Sequence, residues 1–300
     1  MVDSFDGYAQ NDHFYGGTAG IKVGITIDDR HYMLKYPTKL KGLGMKNVFL
    51  SYSNSPVSEH IGCRIYESVG IPAQNTILGM RSGKEVVACE DFLAPGDRFI
   101  PYSALKATFE PAFTDPQGDI TNGTGTVLPE IIRTFSEHPF LQKHAEAEER
   151  FWRMFVVDTL LGNPDRNNEN WGFIQKANGE FALAPVFDCG NCLNSKLTEE
   201  QIENSLQDEG MMLEIAIRRP CVFERVHGKR ICACQYILRA DSPQCNKAVE
   251  WVVPRIERKE IIRIVNETPF ISEGRKTFYL KLMQLRYDRI LLPAYRKAAA

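Results

Sequence analysis

The chain has 300 residues, with 36 basic against 38 acidic side chains and eight cysteines. That length allows one large domain or two modest lobes, the charge balance lacks the basic excess of a nucleic-acid binder, and no apolar run is long enough to span a membrane. The cysteines are too sparse for a disulfide scaffold, and the polar start, Met1-Val-Asp-Ser-Phe-Asp-Gly7, has neither region of a signal peptide; a cytoplasmic protein, or one exported without a recognisable signal, is expected.

In chain order, the first element is a hairpin over Gly20–Tyr36. Ile21, Val23, Ile25 and Ile27 alternate with other residues, Asp28-Asp29 turns the chain, and Tyr32-Met-Leu-Lys-Tyr36 returns. A helix is expected from about Pro56 to Val69, stopped by Gly70 and Pro72. Thr76–Met80 and Glu85–Cys89 read as two short strands around the turn Arg81-Ser-Gly-Lys84. Residues 111–127 carry little apolar periodicity and read as a mobile loop. Glu146–Leu161 is a helix with a broad apolar face, broken at Gly162-Asn163-Pro164. Strands around Trp171–Ile174 and Phe181–Ala184 flank an Asn178-Gly179 turn. The remainder is expected to be mainly helical, with segments near 199–218, 257–266 and 274–297. The fold class is therefore α+β and bilobal: a strand-rich N-lobe over residues 1–92 and a helical C-lobe over 93–300, hinged near 90–95.

The most specific signal is Gly162-Asn-Pro-Asp165-Arg-Asn-Asn-Glu-Asn170, followed by Val186-Phe-Asp188-Cys-Gly190. An acid, an amide five residues on, and a second acid beside a glycine are the parts phosphoryl transfer needs, in order. A carboxylate orients the attacking hydroxyl, and an Asn and an Asp hold magnesium on the nucleotide phosphates. On this reading Asp165 is the catalytic base, and Asn170 and Asp188 are the metal ligands. A kinase also needs a strand lysine on the phosphates and a helix acid to orient it. Lys35, on the return strand, and Glu59, on the next helix, stand in the right order. Gly16-Gly-Thr-Ala-Gly20 lies where a phosphate-cradling loop belongs, and Glu90-Asp91-Phe92 sits where a hinge would present its backbone to adenine.

Cys189-Gly-Asn-Cys192 could be half a zinc site or a redox pair, but Cys232-Ala-Cys234 has the wrong spacing for a second knuckle. Reduced thiols in a tight loop are preferred. The six histidines show no metal spacing.

Two segments carry a family resemblance: Phe155-Val-Val-Asp-Thr-Leu-Leu-Gly-Asn-Pro-Asp-Arg-Asn-Asn-Glu-Asn-Trp-Gly-Phe173 and Ala184-Pro-Val-Phe-Asp-Cys-Gly-Asn-Cys-Leu193. With weaker similarity over Tyr15–Pro37, Ser58–Gly79, Val86–Phe92 and Asn266–Ser272, the chain resembles the HipA-like serine/threonine kinases, and among them the compact CtkA-type branch. The resemblance implies a bilobal kinase fold, ATP and Mg2+ as cofactors, a protein substrate and autophosphorylation. It makes Gly17, Thr18, Ala19, Gly20 and Lys22 the ATP loop, Lys35 the phosphate-binding lysine, and Asn167 a further nucleotide contact, with Phe187 beside the magnesium acid. The family's autophosphorylated loop serine is missing here, and Thr18 is the nearest hydroxyl. A small-molecule or lipid kinase, and a catalytically silent ATP-binding effector, are the alternative readings.

Overall fold

The computed structural model describes residues 3–13, 15, 22–37, 53–109, 123–218, 220–225 and 228–299. Gly17, Thr18, Ala19 and Gly20 lie outside the described residues, as does most of the 111–127 loop.

The first stretch forms β1 (Asp3–Ser4), β2 (Lys22–Ile27), β3 (Arg30–Lys35), α1 (Ser55–Ser68), β4 (Thr76–Arg81) and β5 (Lys84–Glu90). The strands make one sheet in the order β1-β4-β5-β3-β2, antiparallel except for the β1–β4 pair. Both hairpins close on left-handed residue pairs: Asp28 and Asp29 (φ 46 and 63) and Ser82 and Gly83 (φ 50 and 69). Such pairs match the right-handed twist of the strands, and Asp and Gly are among the residues that tolerate the conformation. The side chains then alternate between faces. Phe5, Ile25, Tyr32, Leu34, Val86 and Ala88 form a buried cluster. Val87 and Cys89, also fully buried, point the other way, as does Lys35, which lies opposite Val87 in the ladder. Helix α1 packs on β4 and β5 and buries Val57, Ile61 and Ile65. Beyond its end, Gly70 at φ 80 lets its N–H reach Glu67 O at 2.9 Å.

The middle stretch contains β6 (Arg98–Pro101), α2 (Tyr102–Phe109), α3 (Leu128–Glu137), α4 (Pro139–Gln142), α5 (Glu146–Leu161), β7 (Gly172–Gln175) and β8 (Phe181–Leu183). Strands β6-β7-β8 make an antiparallel sheet. Helix α5 is the core of this region: Phe151, Trp152, Phe155, Val156 and Leu160 are all buried, as its apolar face requires. It stops at Gly162, whose φ of 68 closes the helix in the left-handed region.

The last stretch runs α6 (Glu199–Gln207), α7 (Glu209–Ile217), β9 (Pro220–Glu224), β10 (Arg230–Cys232), α8 (Ala233–Arg239), α9 (Pro243–Val252), α10 (Arg258–Glu267), α11 (Glu273–Arg286), a π-helical turn (Tyr287–Leu291) and α12 (Leu292–Ala298). Two expectations change here. The segment near 199–218 is two helices, because the Asp208 carboxylate accepts from Met211 N at 3.0 Å and starts a new one. The run over 274–297 is continuous only through the π turn, next to Pro293, which has no N–H to give the α-helical ladder. Strands β6, β9 and β10 add sheet to a part expected to be mainly helical.

Two compact units result, neither contiguous in sequence. One comprises Met1–Phe92, Phe187–Leu213 and Glu257–Leu282; the other comprises Leu93–Val186, Glu214–Ile256 and Met283–Ala300. Among the described residues, no helix is long and apolar enough to cross a membrane.

Candidate active site

In the first unit, Lys35, Glu59 and Asp188 meet. The Lys35 ammonium donates to Glu59 Oε2 at 3.1 Å and to Asp188 Oδ1 at 3.2 Å. The other Glu59 oxygen accepts from Cys189 N at 3.0 Å. Glu59 is almost wholly buried (side chain 1% exposed), whereas Asp188 keeps 39% of its surface open. A buried carboxylate needs donors on both oxygens to stay charged; Glu59 has them, and Lys35 and the Cys189 N–H oppose the burial that raises its pKa. Burial pulls the Lys35 ammonium down, but Glu59 and Asp188 outweigh it and hold its pKa well above the ordinary lysine value. Lys35 is therefore a fixed cation, with the half-exposed Asp188 as its link to solvent. Lys22 lies opposite it in the β2–β3 ladder, and its own pKa is lowered by burial and by the neighbouring Lys35 charge.

Asp188 has left-handed backbone, φ 59. The conformation costs an L-residue roughly 1 kcal/mol, and Asp accepts it more readily than most. Cys189 follows immediately and packs against α1: a Cβ on Gly62 would lie 2.5 Å from Cys189 Cβ. The glycine lets the helix and the Asp188 loop approach closely enough for Cys189 N to reach Glu59. Cys189 and Cys192 close a tight turn (Cys192 N to Cys189 O, 3.0 Å), and both are buried. Phe187 packs on Phe92 with ring centroids 5.6 Å apart.

The segment Glu90-Asp91-Phe92, expected from the sequence as a hinge, is tied to the sheet. The Glu90 side chain accepts from Arg30 (3.0 Å), Tyr32 Oη (3.3 Å) and Asn75 Nδ2 (2.7 Å), while Gln74 Nε2 donates to Glu90 O at 2.9 Å. Asp91 N donates to His31 O at 2.8 Å.

In the second unit, residues 163–170 form a loop stiffened from within. Asp165 N donates to Asn163 Oδ1 at 3.0 Å, Asn167 N to Asp165 O at 2.9 Å, and Asn170 Nδ2 to Asp165 O at 2.9 Å. The Asn167 side chain accepts from Glu169 N at 2.9 Å. Beneath the loop, Asp158 on the last turns of α5 accepts from Arg166 Nε (2.9 Å), Arg166 Nη2 (3.3 Å) and Asn163 Nδ2 (3.0 Å). Arg166 also donates to Asn170 O at 3.0 Å. Both charges of this pair are buried, at 7% and 3% side-chain exposure. Asn168 donates to Gly123 O and Gly125 O, and so anchors the loop on its other side. Asp165, Asn167 and Asn170 themselves stay partly exposed. A rigid loop presenting a carboxylate and two amides suits the orientation of a hydroxyl and a phosphate-bound metal.

No protein-family model matches the chain. It is 30% identical over 286 residues to the serine/threonine-protein kinase CtkA of Helicobacter pylori strain J99, an alignment covering 95% of this chain and 84% of that protein. The chain belongs to the CtkA-type serine/threonine kinases. The crystal structure of the H. pylori proinflammatory kinase CtkA superposes with a TM-score of 0.89 at 28% identity, covering 100% of this chain and 99% of that one. A more distant likeness is to Shewanella oneidensis HipA, from a complex with HipB and operator DNA. Its TM-score is 0.56 at 13% identity, with 95% of this chain and 67% of that chain covered, which shows the shared fold.

Within this CtkA-type kinase, the structure gathers Lys35, Glu59 and Asp188 in one unit, and Asp165, Asn167 and Asn170 in the other. Sequence reasoning missed Asp158, Asn163 and Arg166 as supports of the loop. A signal was present: Asp158 is the lone charge in Phe155-Val-Val-Asp-Thr-Leu-Leu161, and a charge inside an apolar helix face requires a partner. Gln74 on the Glu90 carbonyl had no such signal. Among the described residues, no group of three or more His, Cys, Asp or Glu side chains is disposed to hold a metal unaided. An Asn and an Asp suit Mg2+, which keeps water and phosphate oxygens as its other ligands.

Proposed function

We propose that this serine/threonine kinase transfers the γ-phosphoryl group of ATP, with Mg2+, to a Ser or Thr hydroxyl of a protein, itself included. The carrying observation is the Lys35–Glu59–Asp188 contact. A lysine held cationic by a buried helix acid is suited to neutralise nucleotide phosphates, and the exposed carboxylate beside it is suited to a metal on them.

In this reading Asp165 accepts the hydrogen bond of the acceptor hydroxyl and aligns it for in-line attack. Asn170 and Asp188 hold Mg2+, which would supply charge neutralisation on the phosphate oxygens. Gly17, Thr18, Ala19 and Gly20 cradle the phosphates with Lys22, Asn167 adds a contact, and Glu90, Asp91 and Phe92 line the adenine edge near Phe187. The division into an N-lobe of residues 1–92 and a C-lobe of 93–300, a cytoplasmic or signal-independent exported location, and the absence of a nucleic-acid partner belong to the same proposal. Thr18 is its candidate autophosphorylation site.

The test is incubation of the purified chain with magnesium and γ-labelled ATP. Label should enter the wild type and be lost in Asp165→Asn while the thermal melt stays within a few degrees. Undiminished labelling of that variant removes Asp165 from the role of base.

A further inference from the structure

Lys106, in the last turn of α2, has a wholly buried side chain. Its ammonium donates to Glu130 Oε2 at 2.9 Å, in the first turn of α3, and to Gly125 O at 3.1 Å. Lysine is almost never fully buried unless paired, and an unbranched apolar side chain would fill the same space without the desolvation cost. What the charge supplies, and an apolar residue could not, is a grip on those two acceptors.

Glu130 joins α2 to α3, whereas Gly125 O leads to the candidate active site. The same carbonyl accepts from Asn168 Nδ2 at 2.8 Å, and that amide nitrogen also donates to Gly123 O at 3.0 Å. Asn168 is itself wholly buried, three residues after Asp165 and two before Asn170. Residues 123–127 thus act as a strap. Thr126 O accepts from Glu224 N on β9 at 2.9 Å, and a Cβ on Gly123 would collide with Ser103 O and Ala107 N, so the strap lies hard against α2. The start of α2 also reaches the loop directly: Ser103 N donates to Asn168 O at 2.9 Å, and Tyr102 N to Trp171 O at 3.0 Å. A single backbone hydrogen bond leaves a loop able to pivot about it. The Asn168 amide on the strap removes that freedom, provided the strap is fixed, and a charge-assisted bond from Lys106 is the stronger kind of fixing.

We propose that Lys106 is a positioning residue for phosphoryl transfer, holding the 163–170 loop through Gly125 O and Asn168 while the Asp158–Arg166 pair holds it from beneath. All of these residues belong to the second unit. The proposal rests on the reading that this loop takes part in the transfer, with Asp165 aligning the acceptor hydroxyl. Lys35, which that reading sets on the nucleotide phosphates, belongs to the first unit. Loss of Lys106 therefore acts on the rate of transfer far more than on ATP binding.

Transfer from γ-labelled ATP with magnesium to casein, as a generic protein acceptor, is measured over a range of ATP concentrations. The full chain is compared with Lys106→Met, Asn168→Ala and the double variant, each with a thermal melt. Lys106→Met should lower kcat about tenfold or more and change KM for ATP by less than about threefold. Asn168→Ala should do the same. The double variant should be no slower than the slower single one, because both act through one carbonyl; independent effects would multiply instead. A kcat for Lys106→Met within about twofold of wild type, even with a lowered melting point, makes the lysine a stability residue only and overturns the proposal. Losses that multiply in the double variant overturn the route through Gly125 O. If Lys106→Met does not fold, Lys106→Gln, which keeps an N–H donor but is shorter and uncharged, is read by the same limits. Asp165→Asn run alongside separates this proposal from the reading beneath it: full transfer there removes Asp165 as the base, while Lys106 still stands or falls on its own kcat.

Discussion

Asp158→Ala tests the support beneath the 163–170 loop. The carboxylate accepts three hydrogen bonds, two from Arg166 and one from Asn163, and the pair is more than nine-tenths buried. Removing it leaves the guanidinium buried beside an alanine, with Asn170 O at 3.0 Å still accepting from it. Breaking a buried pair from one side costs about 3–5 kcal/mol, because the remaining charge has been desolvated without compensation. Against a total stability of roughly 5–15 kcal/mol, that is a large fraction. Urea unfolding should show the loss. The double variant Asp158→Leu with Arg166→Met should recover most of it, since an apolar pair of similar volume is often neutral or better. Activity should not recover with stability: the double variant lacks the Arg166 bond to Asn170 O. Misplacement of reacting groups by about 1 Å costs on the order of a hundredfold in rate. The expected outcome is near-native stability with kcat reduced by one to two orders of magnitude and a smaller change in KM for ATP. An Asp158→Ala loss below about 1 kcal/mol, or a double variant as unstable as the single, would falsify the buried-pair account.

His60 provides a pH test. Burial, with the Arg64 charge adding to it, lowers His60 to about 4, while a hydrogen bond to the Thr76 backbone partly opposes them; its Nδ1 also lies 2.9 Å from Thr76 Oγ1. The unfolded imidazole titrates near ~6.5, so as pH falls below that value the unfolded chain takes up a proton that the folded chain refuses. Stability should drop by up to about 3 kcal/mol between pH 6.5 and 4 and then level off on this account; equal slopes for wild type and His60→Gln across that window would refute it. Gly162→Ala places a Cβ 2.5–2.7 Å from the Arg286 guanidinium in left-handed backbone. Arg286 is held by Leu160 O and Ala216 O and has little room to yield. A loss of roughly 2–3 kcal/mol is expected, part strain and part overpacking, and an unaltered thermal midpoint would contradict it.

Local rules account for what the sequence made legible. The Asp28-Asp29 turn, the alternation around Ile25 and the stop at Gly162 are decided within a few residues, and the structure follows them closely. Lys35, Glu59 and Asp188 were picked out by residue type, by order and by the element each sits on, and they meet in space. The misses share a physical cause. Strand β6 has four residues and ends in Pro101, so it has no alternation long enough to detect, and its pairing to β7 is set by tertiary context. The break at Asp208 depends on a side chain turning to the following helix rather than continuing the preceding one. The Asp158–Arg166 pair could be suspected from one odd charge, but its partner could not be named before the loop was folded back.

The first unit takes its residues from three separated stretches, the last ending at Leu282. On the ribosome, the N-terminal sheet emerges long before the segments that complete the unit, and domains generally fold as wholes during synthesis. Lys35 and Glu59 leave the tunnel early, but the Cys189 N–H that satisfies the second Glu59 oxygen is made some 130 residues later. Until then the charged pair has no reason to leave water. The nascent kinase is thus kept from burying the Lys35–Glu59 pair until the segment around Cys189 has been made, and a chain cut short after residue 92 is left with a sheet and a helix but no Asp188.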